Sequence, residues 1–269
     1  MPELPEVETV TNSVKKHLID DKLKKINVNW DKTLDNFTLK DFKNKILNKK
    51  ILNVFRRGKY ILIDFGSNMI GIHLRMTGKL YVSETIDKKN KHISAYFNLK
   101  EKYLVFEDTR KFGRIYLFKD LSILDKKLGI EPLSEEFTSK WLINCFSNKQ
   151  RKIKPLLLDQ SHLVGMGNIY TDEALWISKI HPEKKSNEIS YKKLKDLHKA
   201  IIQVLTESIK CGGTTIRDYT YDFSYVGNYA LNLYAYGQND NPCKRCNTTI
   251  IKLKVAQRGT YICPKCQKI

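Results

Sequence analysis

The cysteine spacing near the end of the chain constrains the fold more than any other feature. Cys243 and Cys246 form one Cys-x-x-Cys pair, and Cys263 and Cys266 form a second pair after sixteen intervening residues. This spacing is typical of structural zinc sites, where four thiolates fill a tetrahedron and leave no position open for chemistry. The sequence therefore predicts one structural Zn²⁺ ion that holds a small β-ribbon at residues 237–269.

The charge balance indicates a polyanionic partner. The chain has 48 lysines and arginines against 29 acidic residues, a formal net charge of +19. Such an excess points to nucleic acid or to an anionic membrane surface. No apolar run approaches the roughly 20 residues that span a bilayer, and the first residues lack a secretory pattern. We expect a soluble, cytoplasmic, monomeric protein that binds nucleic acid and not membrane.

The hydrophobic pattern changes near Glu131-Pro132-Leu133. Before it, residues 22–118 contain short apolar runs separated by glycine-rich turns, which favours a β-sandwich or barrel. After it, the apolar spacing is helical, as in the segments 139–147, 151–160, 168–178 and 190–209. The prediction is an α+β multidomain chain: an N-terminal β-sandwich with flanking helices at 1–132, a helical domain at 133–236 and the zinc ribbon at 237–269.

The opening Met1-Pro2-Glu3-Leu4-Pro5-Glu6-Val7-Glu8 suggests a nucleophilic terminus. If Met1 is removed, Pro2 carries a free α-amine, whose pKa of about 8 is far below the roughly 10.4 of lysine. Such an amine suits attack on a carbon that becomes a Schiff base, and Glu3 and Glu6 supply nearby carboxyl groups for proton transfer. The alternative is an ordinary acidic helix start, since glutamates complement the helix dipole.

Two polar turns of the strand region carry apolar side chains. Met76 lies in His73-Leu74-Arg75-Met76-Thr77-Gly78, and Phe112 lies in Asp108-Thr109-Arg110-Lys111-Phe112-Gly113. An enzyme that acts on a DNA base must take it out of the stack, and apolar wedges with a nearby arginine offset that cost. The alternatives are a core methionine and a surface loop; likewise Lys59, after Gly58, is either a site residue or a surface lysine.

The helical region contains two helices joined by a glycine-punctuated turn, which is a helix-turn-helix arrangement. Lys154 lies in the first helix, and Asn168 is expected to cap the second, whose N-terminus offers donors to a phosphate. Arg258 is expected at the turn of the zinc ribbon, where it could contact a groove or a phosphate. A plain capping asparagine and a solvated arginine are the alternatives.

These motifs together resemble the formamidopyrimidine-DNA glycosylases, bacterial enzymes that excise oxidised purines, and the resemblance covers essentially the whole chain. It implies a bifunctional DNA glycosylase/AP lyase that binds damaged duplex DNA and needs no diffusible cofactor. Pro2 would be the nucleophile, Glu3 its acid/base partner, and Glu6 a supporting carboxylate. The resemblance implies that five residues contact the lesion's sugar-phosphate or the neighbouring backbone: Lys59, His73, Lys154, Asn168 and Arg258. Met76, Arg110 and Phe112 would fill the vacated stack. Glu173 would support the site. Residues 211–229 would close over the everted base.

Two other functions remain open at this stage. The endonuclease VIII type of glycosylase, which removes oxidised pyrimidines, shares this architecture, although Leu4 and the set Met76, Arg110 and Phe112 favour the purine branch. A zinc-ribbon DNA-binding protein without catalysis would have no need for Pro2, Glu3 and Lys59 together.

Overall fold

The computed structural model describes residues 2–214 and 229–269. They separate into two compact units, one holding residues 2–126 with 212–214, the other holding 127–211 and 229–269. The division into three domains at 132/133 and 236/237 stays a prediction.

The first unit is a β-sandwich. Two four-stranded antiparallel sheets have the orders β1-β6-β7-β5 and β2-β3-β4-β8. The strands are β1 (Lys25–Val28), β2 (Asn53–Arg57), β3 (Tyr60–Asp64), β4 (Met69–His73), β5 (Gly78–Ser83), β6 (Ile93–Asn98), β7 (Tyr103–Asp108) and β8 (Arg114–Phe118). The helices are α1 (Leu4–Leu18), α2 (Leu39–Lys45) and α3 (Ser122–Asp125). Both sheets and α1 contribute to one buried core, which confirms the predicted sandwich with flanking helices.

Helix α1 is held by its apolar face. Val7, Val10, Val14 and Leu18 recur at helical spacing, and all are fully buried in the core. Burial of each such side chain contributes about 1.5–3 kcal/mol. The beginning of α1 is therefore fixed to the sandwich.

Helices α2 and α3 and strand β5 were not predicted, and α2 and β5 are the longer of these elements. Helix α2 is capped by Thr38, whose hydroxyl accepts from the Asp41 N–H in a capping box. Strand β5 begins at Gly78, a residue interpreted as part of a turn, and its alternate residues Leu80 and Val82 are buried. Both segments are short and polar on one face, so the apolar residues that they contain are a weak signal for a helix or a strand.

The second unit is helical and ends in a hairpin. Its main elements are α4 (Ser139–Phe146), α5 (Ile153–Leu158), α6 (Asn168–Ile177), α7 (Tyr191–Lys210), β9 (Ile251–Val255) and β10 (Arg258–Ile262). Leu194, Leu197, Ile201 and Leu205 form the buried face of α7, as the periodicity predicted. None of the helices in the described ranges is long and apolar enough to cross a membrane.

Candidate active site

The first turn of α1 buries the predicted nucleophile and both carboxylates. Pro2 is buried, and Glu3 and Glu6 are 2% and 5% exposed. Glu6 closes a capping box with Glu3, whose backbone N–H donates to Glu6 Oε2 at 2.8 Å. A capping box satisfies N–H groups that a helix start leaves without internal partners. The sequence therefore shapes its own terminus, with Glu6 fixing the backbone of Glu3.

The second oxygen of Glu6 binds a distant part of the same unit. Its Oε1 accepts the Thr214 N–H at 2.7 Å. The preceding Gly213 has φ of +88°, and a Cβ there would lie 2.9 Å from Glu6 Oε1, so position 213 requires glycine. Most of the segment expected to cover an everted base, residues 215–228, lies outside the described residues.

The predicted residues of the strand region meet at one end of one sheet. Arg57, Tyr60, His73 and Arg114 lie side by side in the register of β2, β3, β4 and β8. The turns that extend beyond this row are 58–59, 74–77 and 109–113. They carry Lys59, Met76, Arg110 and Phe112, so chain topology brings these side chains to one edge.

The hairpin turn that carries Lys59 is tied to α1. Arg56 donates to the Gly58 carbonyl at 2.9 Å and forms an ion pair with Glu8 of α1 at 2.7 Å. Gly58 has φ of +57°, a conformation that glycine adopts without strain. Lys59 is 8% exposed, so its ammonium is held within the site and is not a freely solvated surface charge.

The surroundings of His73 favour its neutral form. Burial, with Arg75 and Lys59 nearby, lowers its pKa from 6.5 to about 3. Its Nδ1 accepts the Arg75 N–H at 3.1 Å, so the neutral ring carries its proton on Nε2. The edge of the Tyr60 ring packs against it with centroids 4.7 Å apart. The geometry suits donation from Nε2 to a phosphate oxygen without any need for imidazolium.

The first testable prediction concerns the pH dependence of His73. His73→Ala should weaken binding to lesion duplex by about tenfold through the lost charge-assisted hydrogen bond, whereas His73→Gln keeps a neutral donor. The ratio of wild-type to His73→Gln dissociation constants should stay constant between about pH 5.5 and 8. Relative strengthening of wild-type binding towards low pH would show an ordinary histidine instead.

The lowered pKa also sets a direction for stability. Protonation of His73 is disfavoured in the folded state, where its pKa is about 3 against 6.5 for the free group. The stability linked to this residue is therefore complete above about pH 6.5 and is lost as the pH falls towards 3.

Arg110 contacts both Met76 and Phe112 at the surface, and we term these three side chains the wedge cluster. Met76 is 43% and Phe112 is 48% exposed. Arg110 Nη1 donates to Met76 Sδ at 3.2 Å, and its guanidinium carbon lies 4.9 Å from the centre of the Phe112 ring. An exposed apolar group with a cation at its centre suits insertion into a base stack.

Lys154 is enclosed by side chains and backbone of its own unit. It is 0% exposed and forms a buried ion pair with Asp172 at 2.6 Å. Its Nζ also donates to Thr260 Oγ1 at 2.7 Å and to the Gly259 carbonyl at 3.3 Å. Burial raises the pKa of Asp172, and Lys154 opposes that shift. These contacts hold the start of β10, and the contact of Lys154 with the DNA backbone stays a prediction.

Asn168 and Arg258 also differ in detail from the expected positions. Gly167 is the cap of α6 and Asn168 is its first residue; the Asn168 side-chain amide donates to the Gly259 carbonyl at 2.9 Å. The ribbon turn is Ala256-Gln257, both at positive φ, as a two-residue hairpin turn requires. Arg258 is the first residue of β10 and is exposed, beside the backbone that Asn168 and Lys154 hold.

Glu173 fixes the segment that leads into the zinc ribbon. Its carboxylate is fully buried and accepts the N–H groups of Tyr234, Ala235 and Tyr236 at 2.8–2.9 Å. Burial raises the pKa of Glu173, and these three donors counteract the rise. Glu173 therefore anchors the backbone of residues 234–236, and its support of the active site stays a prediction.

The four predicted zinc ligands converge. Their sulfur atoms lie within 4.8 Å of one another, with Cys246 Sγ 3.4 Å from Cys263 Sγ and 3.5 Å from Cys266 Sγ. A tetrahedral site with Zn–S bonds of about 2.3 Å has sulfur–sulfur edges of about 3.8 Å. The donor set therefore fits one structural zinc ion. Cys243 and Cys263 are buried in a small core that also contains Trp176 of α6.

Two buried carboxylates were missed by the sequence-based prediction of the site. Asp172 pairs with Lys154, and Asp108 accepts hydrogen bonds from both turns of the wedge cluster. Asp108 is the first residue of the motif that contains Arg110 and Phe112, and this position was the available signal for its role. Nothing in the spacing of Lys154 and Asp172 marks them as partners.

The first unit is a sandwich with cationic turns at one end of a sheet. The helical unit that follows it in sequence carries a cluster of four thiols. These features together define a class of zinc-containing DNA-binding proteins. Residues 1–115 match the formamidopyrimidine-DNA glycosylase N-terminal domain, 128–220 its H2TH domain, and 240–269 the zinc finger found in FPG and IleRS. The Ligilactobacillus salivarius formamidopyrimidine-DNA glycosylase is 41% identical, with 100% of this chain and 99% of the relative covered. The Bacillus subtilis relative of the same name is 38% identical, with 99% of each covered. The chain belongs to the formamidopyrimidine-DNA glycosylase family.

Solved structures agree along the full length. Lactococcus lactis Fpg bound to DNA containing N7-benzyl-Fapy-dG has a TM-score of 0.92 at 36% identity, with both chains covered completely. A MutM complex with DNA containing carbocyclic 8-oxo-G has the same TM-score and identity, again over both whole chains. The predicted fold class and structural zinc site are thereby confirmed, while the roles of individual site residues stay predictions.

Proposed function

We propose that this chain excises oxidised purines, such as 8-oxoguanine and formamidopyrimidines, from double-stranded DNA and then cuts the strand at the resulting abasic site. The observation that carries the proposal is the set of turns at one sheet end, where Lys59, His73 and the wedge cluster meet. Arg56 ties this end to α1, the helix that begins with Glu3.

In the proposed reaction the Pro2 nitrogen, freed by removal of Met1, attacks C1′ of the damaged nucleotide. The bond from C1′ to the base breaks, and the base leaves with its electron pair and takes up a proton. Glu3 donates a proton to the ring oxygen O4′, which opens the sugar and leaves an iminium ion on Pro2. A C2′ proton then leaves to solvent, its C–H electron pair passes to the iminium, and the resulting enamine expels the 3′ phosphate and re-forms a conjugated iminium. Loss of the C4′ proton in the same way expels the 5′ phosphate.

The remaining residues bind and position the DNA. Lys59 contacts the sugar-phosphate of the lesion, His73 donates from Nε2 to a phosphate, and the wedge cluster fills the vacated stack. Asn168 and Arg258 contact the backbone near the lesion. Glu6 and Glu173 hold backbone segments in place, and the zinc ion, when bound by its four cysteines, stabilises the ribbon and takes no part in bond breaking.

The decisive experiment traps the covalent intermediate. Protein with Met1 removed is incubated with a duplex containing 8-oxoguanine in the presence of borohydride, which reduces an iminium to a stable cross-link. A duplex with an oxidised pyrimidine tests the runner-up, and an undamaged duplex is the control. Preferential trapping on the purine lesion supports the proposal. If no duplex gives a trapped complex, the lyase assignment is wrong. Preferential trapping on the oxidised pyrimidine supports the endonuclease VIII type.

Glu3→Gln separates binding from catalysis. The amide cannot donate the proton that opens the sugar, so excision should fall by about a hundredfold or more, while affinity for lesion duplex should stay within about threefold. Single-turnover excision and equilibrium binding measure the two quantities. Asp20→Asn, which changes an exposed carboxylate just beyond the end of α1, is the matched control. If Glu3→Gln lost binding as strongly as it lost excision, Glu3 would have a structural role only.

We also propose that the protein acts as a monomer in the bacterial cytosol. None of the six cysteines forms a disulfide, which suits a reducing compartment where Cys-x-x-Cys pairs bind zinc and are not oxidised. Light scattering of the zinc-loaded protein measures the oligomeric state.

A further inference from the structure

A single buried carboxylate connects the two turns that carry the wedge cluster. Asp108, the last residue of β7, is 0% exposed. Its Oδ1 accepts the Thr77 hydroxyl at 2.5 Å and the Arg110 N–H at 3.1 Å, and its Oδ2 accepts the Gly113 N–H at 2.7 Å. Thr77 belongs to the turn of Met76, whereas Arg110 and Gly113 belong to the turn of Phe112.

Both turns need such a support because each crosses between the sheets of the sandwich. The first joins β4 to β5 and the second joins β7 to β8. Each contains a non-glycine residue in the left-handed region, Arg75 at φ +55° and Lys111 at φ +57°, which carries a conformational cost. The Asp108 carboxylate supplies hydrogen bonds that compensate this cost from the buried side.

The contacts among the tips are too weak to fix the geometry by themselves. The Arg110–Met76 and Arg110–Phe112 contacts lie at the surface between half-exposed side chains, where such interactions contribute little. The second turn also has no room for adjustment, since a Cβ at Gly113 would lie 2.4 Å from Phe106 Cζ and 3.1 Å from Asp108 Oδ2. The backbone below the tips, and thus Asp108, sets their position.

We propose that Asp108 is a positioning residue that preassembles the wedge cluster before DNA arrives, and that its contribution is made at base extrusion. This inference rests on the function proposed above. Asp108 acts through Thr77 and through two backbone amides and touches neither the lesion nor the reacting atoms.

The test compares two substrates that differ in the cost of extrusion. In one, 8-oxoguanine pairs with cytosine; in the other, it faces a one-nucleotide gap, where unstacking is easier. Asp108→Asn places an N–H₂ group among three donors and should slow excision from the paired substrate by about tenfold or more, but from the gapped substrate by less than about threefold. Thr77→Val, which removes one donor, should show the same pattern more weakly, and Thr77→Ser should restore the wild-type rate.

Asp64→Asn is the matched control. Asp64 also accepts a glycine N–H in a turn of this sandwich, that of Gly66 at 2.8 Å, but at the opposite end of β3 from Tyr60 and His73. It should leave both rates unchanged.

Several outcomes overturn the proposal: equal slowing on both substrates, no slowing on either, or an Asp64→Asn effect like that of Asp108→Asn. If Asp108→Asn fails to fold, Thr77→Val and Thr77→Ser provide the test. The measured quantity is again the slowing of excision on the paired substrate relative to the slowing on the gapped substrate. Borohydride trapping of the wild-type protein on a preformed abasic site is measured in parallel. Loss of trapping there refutes the proposed function, whereas normal trapping with an unchanged substrate ratio refutes only the role of Asp108.

Discussion

Pro2→Gly should reduce strand cleavage at 8-oxoguanine by at least about a hundredfold, because a misplacement of about 1 Å in a reacting group costs this much. The proline ring fixes the backbone at its nitrogen, and its secondary amine forms an iminium that is always charged. Glycine loses both properties. An added residue in front of Pro2 should abolish cleavage entirely, since it converts the nitrogen into an unreactive amide.

Pro5→Ala provides the control for loss of a proline at this helix start. Pro5 lies inside the first turn of α1, so its replacement should alter stability slightly and leave trapping intact. Mass spectrometry of the borohydride-reduced adduct identifies the linked residue. A link to any residue other than Pro2 would refute the proposed nucleophile.

Lys154→Met should destabilise the second unit by about 3–5 kcal/mol, the usual cost of leaving one partner of a buried ion pair alone. Asp172 is 1% exposed, so water cannot replace the lost ammonium. Thr260 and Gly259 lose the same donor. Denaturant unfolding of the zinc-loaded protein measures the loss.

Two further variants define the origin of this loss. Lys154→Met with Asp172→Asn removes both charges and keeps an acceptor for the Tyr261 N–H that now binds Asp172, so it should recover most of the stability. Lys152→Met, which removes a half-exposed lysine paired with Glu183, should cost less than about 1 kcal/mol. If Lys154→Met left stability unchanged and lowered the salt-dependence slope of DNA binding by about one unit, the result would contradict the structural role and support a direct contact of Lys154 with a phosphate.

Local patterns predicted much of this molecule. The zinc ligands follow from the two Cys-x-x-Cys pairs and their spacing, and α6 and α7 follow from apolar residues that recur every three or four positions. Both signals are patterns along the chain and need no long-range packing to be recognised. Strand β5 escaped prediction because its first residue, Gly78, also ends a tight turn. The pairing of Gly78 with Asp108 that makes it a strand involves residues thirty positions apart.

The arrangement of the site depended on long-range packing. The register that aligns Tyr60, His73 and Arg114 is a property of the whole sheet, and no single segment encodes it. Lys154 illustrates the same limit: the resemblance gave it a place near DNA, but its burial depends on Asp172 and Thr260, which only folding brings to it. Charge by itself could not separate a buried lysine from 47 other basic residues.

The two-sided use of Glu6 has a consequence for biosynthesis. One of its oxygens binds the backbone of residue 3, and the other binds the backbone of residue 214. A ribosome delivers these two partners at opposite stages of translation. Glu6 emerges early, yet its second hydrogen bond forms only after more than two hundred further residues have been synthesised.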